Sequence, residues 1–239
     1  MCPAHSPSHN KFLAALPSVE YERILPHLEF AKWKLGEKLC TGGSCAPYQY
    51  FPVTGIAGLI RPEVNCRFSE VAVTGNDGVV GMDLLWVGDT PECRTEVVSA
   101  GHAYRLDAAT LAREFMFDSA LQQSQLRYTQ SMIAQIARTA ACNRRHAPEE
   151  RACRWLLSCL DRTPWPELWT TDRVIAGSQA LEVAEVTAIL QGLEGRRIVT
   201  VHPEQVLVHD RLRLEARACE CHALIHADAM RWIPYGIAA

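Results

Sequence analysis

Cys219, Cys221, His222 and His226 fall within eight residues of one another near the C-terminal end of the 239-residue chain. Thiolate and imidazole are the donors that zinc and other soft metal ions take, and on a helix Cys219, His222 and His226 occupy i, i+3 and i+7, one face. Cys221 points elsewhere on such a helix, so the alternative is a packed or redox-inert cysteine pair. The quartet is a candidate metal site. A second feature concerns charge. From Glu167 to Gly195 five acids, Glu167, Asp172, Glu182, Glu185 and Glu194, stand against a single base, Arg173, a balance that repels a phosphate backbone instead of releasing its counterions. Arginines outside that stretch, Arg144-Arg145, Arg196-Arg197 and Arg211, Arg213 and Arg217, can supply non-specific phosphate contacts. No nucleophile with a base and an orienting group, and no loop for a polyphosphate, stands out, so no enzymatic activity is expected.

The elements that must position these residues follow from composition and pattern. With 48% hydrophobic and 21% charged residues, the chain reads as a soluble globular protein of one large or two modest domains. No window approaches the apolar run of a membrane helix, and the first ten residues lack the basic and apolar segments of a signal peptide. The ten cysteines are spread out instead of densely spaced, so reduced thiols and a cytoplasmic location are expected. A net charge of −3 gives no global attraction for nucleic acid, so any DNA contact depends on a local patch.

Ten of the fourteen glycines lie between Gly36 and Gly101 and none between His102 and Ala176. In the Gly-rich part the runs Tyr48 to Phe51, Ile56 to Ile60, Glu70 to Thr74 and Glu96 to Ser99 alternate with turn signals such as Gly75-Asn76-Asp77-Gly78, which predicts a compact all-β unit. From Ala108 the chain has no Gly or Pro for forty residues. There Leu126, Thr129, Ile133, Ile136 and Ala140, spaced 3, 4, 3 and 4 apart, form one helical stripe: either a face lying on the β unit or a two-fold dimer seam. Pro148 breaks the pattern, and Glu149 to Leu160 restarts an amphipathic helix. A helix from Asp172 to Ala176, a turn, a helix from Val183 to Glu194 and a hairpin of Val199-Thr200-Val201 with Val206-Leu207-Val208 complete a winged helix-turn-helix layout.

This order of elements resembles the Crp/Fnr family of bacterial transcription regulators. The segments that carry the likeness are Tyr50-Phe51-Pro52, Asn76-Asp77-Gly78-Val79-Val80-Gly81, Ala100-Gly101-His102-Ala103-Tyr104-Arg105-Leu106 and Cys153-Arg154-Trp155-Leu156-Leu157, and it spans roughly residues 10 to 225. The resemblance implies an α+β fold: a cyclic-nucleotide-binding-like β-roll (10–107), a long dimerisation helix and hinge (108–146), a winged helix-turn-helix (147–218) and a tail (219–239). It also implies a DNA-binding homodimer, with RNA polymerase a further partner, an effector or redox input in the roll, and no membrane partner.

At the effector pocket such proteins hold a ribose with a Gly-Glu pair and a cyclic phosphate with Arg and a hydroxyl. Here the slots carry Gly81, then Met82 and Asp83, then Arg94 and Thr95. The phosphate half is chemically suited. The ribose half is not, because Met82 accepts no useful hydrogen bond and Asp83 stands one position out of place. Cyclic nucleotide is therefore not expected, nor is an iron–sulfur cluster, since only Cys2 precedes the roll and Cys40 and Cys45 lie inside it, nor haem on His102. No cofactor is predicted.

At the DNA-reading end the family slots fall on Thr171, Arg173, Glu182, Val183, Ala184, Thr187 and Ala188. Val183, Ala184 and Ala188 replace the residues that hydrogen-bond base edges, Glu182, Glu185 and Asp172 replace phosphate contacts, and Ala180 replaces the turn glycine. Ser178 and Gln179 stand where apolar residues are buried. Two functions remain: a DNA-binding regulator, or a degenerate member that acts as an interaction or dominant-negative partner.

Overall fold

The computed structural model describes residues 6–40, 48–62, 68–82, 94–115 and 120–231. Two short helices, α1 (Lys11–Ala14) and α2 (Ser18–Ile24), lead into seven strands: β1 (Glu29–Trp33), β2 (Lys38–Cys40), β3 (Tyr48–Pro52), β4 (Ile56–Pro62), β5 (Phe68–Thr74), β6 (Arg94–Ser99) and β7 (Gly101–Asp107). They form two antiparallel sheets, β2-β6-β4-β5 and β1-β7-β3, which close on Trp33, Leu39, Ala57, Val80, Val97 and Ala103. This is the roll expected from the clustered glycines. The strand runs begin or end within two residues of those read from the sequence, while β1, β2, β7 and the first helices carry no comparable turn signal.

Two helices follow, α3 (Ala108–Phe115) and the 26-residue α4 (Ala120–Arg145). α4 turns Leu121, Gln125, Gln135, Thr139 and Cys142 inward. The seam residues lie on the other side: Leu126 is 61% and Ile133 54% exposed, and Ala140 is exposed with Thr129 and Ile136 half-buried. The stripe is thus not the face that covers the roll. Pro148 opens α5 (Pro148–Leu160) at its first turn, where its missing N–H costs nothing. The amphipathic helix expected here is present, and its polar residues Arg151, Arg154 and Ser158 are buried together with the apolar ones. α5 has neighbours on all sides: α6 (Asp172–Gln179), α7 (Val183–Gly195), α8 (Arg211–Glu215), α9 (Cys221–Met230) and β8 (Glu167–Leu168).

A three-stranded antiparallel sheet, β8-β10-β9, is completed by the hairpin of β9 (Val199–His202) and β10 (Gln205–Val208). Its apolar side joins a cluster that runs from Trp155, Leu156 and Leu157 through Ile175, Val186, Leu190 and Leu193 to Ile56, Val73 and Val98 of the roll. Roll and winged unit therefore share one continuous buried core. Among the described residues no helix is long and apolar enough to cross a membrane.

Candidate functional site

The helix-turn-helix of the winged unit is built by local rules. Thr171 caps α6, its Oγ1 accepting from the Val174 N–H at 3.3 Å. Ala180 makes the turn with φ 50° and ψ 45°, a left-handed conformation that an alanine adopts at a cost of roughly 1 kcal/mol. The glycine slot inferred from the sequence is thus a position where the backbone needs one. On α7 Glu182, Val183, Ala184, Glu185 and Ala188 are exposed, while Val186, Leu190 and Leu193 face the core. Thr187 Oγ1 donates to Asp172 Oδ2 at 2.7 Å, so those two slots satisfy each other. Arg173 is exposed.

Of the arginines outside this helix, Arg144, Arg145, Arg196 and Arg197 are exposed. Arg211 is instead engaged with Asp161 and Glu215, and Arg213 with Asp210. Arg217 reaches Glu149 at 2.7 Å. Phosphate contact from these three needs an ion pair to open.

A buried carboxylate joins this unit to the roll. Glu70 Oε1 accepts from Trp155 Nε1 at 2.7 Å and its Oε2 from Ser178 Oγ at 2.9 Å. Gly58 makes room for it, since a Cβ there would lie 2.5 Å from Glu70 Oε2. Burial pushes the Glu70 carboxyl up to about 7, against the hydrogen bonds from Ser178 and Trp155 and the nearby charges of Arg154 and Arg162. Gln179 Oε1 accepts from Arg154 at 3.0 Å, and its backbone carbonyl accepts from Arg151. Ser178 and Gln179, which stand where apolar residues are expected, are both buried and both find polar partners on neighbouring elements. Asp77 of the roll pairs with Arg162 at 3.0 Å, and the Asn76 N–H donates to the Arg162 carbonyl at 2.9 Å. Glu70 and Arg162 carry no functional reading from the sequence, and Trp155 enters there only within a segment that carries the family likeness. The available signal was an acid within an otherwise apolar strand run.

At the effector pocket Gly81 takes φ +88°, and a Cβ there would meet the Tyr48 carbonyl at 2.9 Å. Met82 packs against the apolar cluster that includes Phe12, Phe51, Leu106 and Leu121, and its sulfur lies 3.8 Å from Thr129 Oγ1. Arg94 pairs with Glu96 at 3.3 Å, and Thr95 lies in β6 opposite Leu59. Asp83, Cys2 and Cys45 lie outside the described residues.

The expected metal quartet does not assemble. Cys219 precedes α9, so the helical spacing assumed for it does not apply. His222 Nε2 and His226 Nδ1 instead face Asp161 Oδ2 at 2.9 and 3.2 Å. Although burial opposes ionisation, hydrogen bonds from His222 and Arg211 hold the Asp161 carboxyl below its usual range. Cys219 and Cys221 turn the other way, toward Cys142.

No family model matches the sequence, and no curated protein does. Solved structures do match. FixK2 from Bradyrhizobium japonicum superposes with a TM-score of 0.65 at 17% identity, over 80% of this chain and 98% of that one. A Crp/Fnr-family transcriptional regulator from Thermus thermophilus gives 0.55 at 17% identity, over 80% and 98%. The c-di-GMP-responsive global regulator CLP of Xanthomonas campestris gives 0.57 at 16%, over 81% and 99%. The chain has the Crp/Fnr fold. Within that fold, roll, long helix and winged helix-turn-helix follow one another as the sequence resemblance implied. At the exposed positions Glu182, Val183, Ala184, Glu185 and Ala188 no side chain can donate a bidentate pair of hydrogen bonds.

Proposed function

We propose that the protein is a Crp/Fnr-like transcription regulator, a cytoplasmic homodimer that contacts DNA through its winged helix-turn-helix and takes its input at the roll. The observation that carries the reading is the intact geometry of the output unit. α6 is capped, Ala180 holds the strained turn, and α7 offers its outer face to solvent. Sensor, long helix, winged unit and tail are assigned to 10–107, 108–146, 147–218 and 219–239. The exposed stripe of Leu126, Thr129, Ile133, Ile136 and Ala140 is the dimer seam.

Input passes to output through Glu70 and Arg162, which tie strands of the roll to α5 and α6. The effector is not cyclic AMP, a reading supported by Met82, which packs on an apolar cluster and offers a ribose no useful acceptor, and by Arg94, which pairs with Glu96. With an acidic α7, affinity rests on Arg144, Arg145, Arg196 and Arg197 at the phosphates and on the shape of the site more than on base edges. RNA polymerase is the further partner for the DNA-bound dimer.

Selection of bound duplexes from a random pool tests the proposal. Enrichment of a two-fold symmetric site supports it. A pool that stays random, with no retained duplex at low salt, overturns it and leaves the interaction-partner function.

A further inference from the structure

Three thiols and an imidazole meet where the long helix ends. Cys142 and His146 stand at i and i+4 on the last turns of α4 and its exit, so their side chains share a face. Cys219 arrives from the turn between α8 and α9, and Cys221 opens α9. Cys142 Sγ lies 3.5 Å from Cys219 Sγ, and Cys221 Sγ lies 3.7 Å from His146 Nδ1. All four ligand atoms lie within 4.8 Å of one another. We propose that Cys142, His146, Cys219 and Cys221 form a tetrahedral Cys3His site for one borderline-soft divalent cation of the Zn2+ class.

The spacing suits a single ion. Bonds of about 2.3 Å to sulfur and about 2.0 Å to nitrogen give tetrahedral edges of about 3.5 to 3.8 Å, which the Cys142–Cys219 and Cys221–His146 separations match. A multi-iron cluster holds its thiolates around a larger inorganic core and needs a wider cage than this. The packing also differs from that of structural thiols. Cys142, Cys219 and Cys221 are 0%, 5% and 8% exposed and cluster with one another, with no aliphatic side chain among them.

The surrounding groups prepare the same chemistry. Glu220 Oε1 lies 3.3 Å from His146 Nε2, the arrangement in which a carboxylate takes the outer ring N–H and leaves the other nitrogen's lone pair for a metal. A metal binds cysteine as thiolate, so loading the site releases protons.

Place gives the site its consequence. It sits at the exit of α4, immediately before the break at Pro148, and binds the segment that follows the winged unit back onto the long helix. Arg138 of α4 and Asp228 of α9 pair across the same contact. A bound ion therefore fixes α9 on α4 and sets the hinge between the dimer seam and the reading helix. That last consequence rests on the regulator reading; the site itself does not.

The test uses the full chain, stripped with a chelator under reducing conditions and titrated with Co2+. One equivalent is expected to give the ligand-field bands of a tetrahedral ion and a thiolate-to-Co2+ charge-transfer band, both abolished by one equivalent of Zn2+. Cys219→Ser is expected to weaken Co2+ binding more than about 100-fold, and Glu220→Gln about 10-fold. His222→Ala, which removes a member of the quartet read from the sequence, is expected to leave the spectrum unchanged. Should Cys219→Ser fail to fold, the parent spectrum and the His146→Ala titration decide. A reduced chain that gives no charge-transfer band, or a spectrum unchanged by His146→Ala, overturns the site. DNA binding is measured separately: its loss with the Co2+ spectrum intact overturns the regulator reading alone, and the reverse overturns the metal site alone.

Discussion

Replacing Glu70 with Gln takes a titrating carboxyl out of the buried contact between roll and winged unit and keeps its shape. The Glu70 carboxyl is raised from 4.5 to about 7 by burial, so the folded protein holds a proton between those values that the unfolded chain has released. Its contribution to stability is therefore fully present below pH 4.5, falls as pH rises, and is gone above about 7. At about 1.4 kcal/mol per pH unit the span amounts to about 3 kcal/mol. The Gln amide can still accept from Trp155 Nε1 and donate to Ser178 Oγ, so little hydrogen bonding is lost. Glu70→Gln is expected to flatten the stability profile over pH 5 to 7 and to be more stable than the parent at pH 8 by about 1 to 3 kcal/mol. Urea unfolding at half-unit pH steps, followed by tryptophan fluorescence, reads both quantities. If the variant keeps the parent's slope between pH 5 and 7, the burial argument for Glu70 is wrong.

Further predictions follow from single positions. Ala180→Gly relieves a left-handed alanine and should stabilise the winged unit by about 0.5 to 1 kcal/mol, the relief being offset by the greater freedom of the unfolded glycine; an unchanged urea midpoint would show the turn is not strained. Ile133→Glu puts a charge on the exposed stripe of α4 and should convert dimer to monomer in sedimentation, whereas an unchanged species would mean the seam lies elsewhere. Calorimetry with cyclic AMP should show no saturable heat at micromolar concentration; saturable binding that depends on the ribose hydroxyls would mean another group has replaced the lost acceptor.

The regular elements were legible because they rest on local rules. Clustered glycines marked the roll, a forty-residue span without Gly or Pro marked the helices before Pro148, and the hairpin around Pro203-Glu204 followed from alternating valines. The seam stripe was legible, but not which neighbour it faces: that depended on seeing Gln125, Gln135 and Cys142 take the inner face. Long-range polar pairing was hidden. Ser178 and Gln179 looked like defects until Glu70 and Arg154, 108 and 25 residues away, supplied their partners. The cysteines misled in the same way. Cys219 and Cys221 were grouped with the histidines nearest in sequence, while the thiol and imidazole that meet them, Cys142 and His146, lie 77 and 75 residues away.

The central claim is that this acidic output unit still binds DNA, and fluorescence anisotropy on labelled duplex tests it most directly. The natural chain is compared with a Glu182→Ser, Val183→Arg, Ala184→Glu, Ala188→Arg variant on a palindromic and a scrambled duplex, from 50 to 200 mM salt. The natural chain is expected to bind at the lowest salt and to weaken steadily as salt rises, because contact is made through phosphates. The variant should gain affinity and discriminate between the duplexes by about 1 to 3 kcal/mol for each bidentate pair restored. No binding by the natural chain at 50 mM salt, with binding appearing only in the variant, would contradict the claim and make this chain an interaction partner.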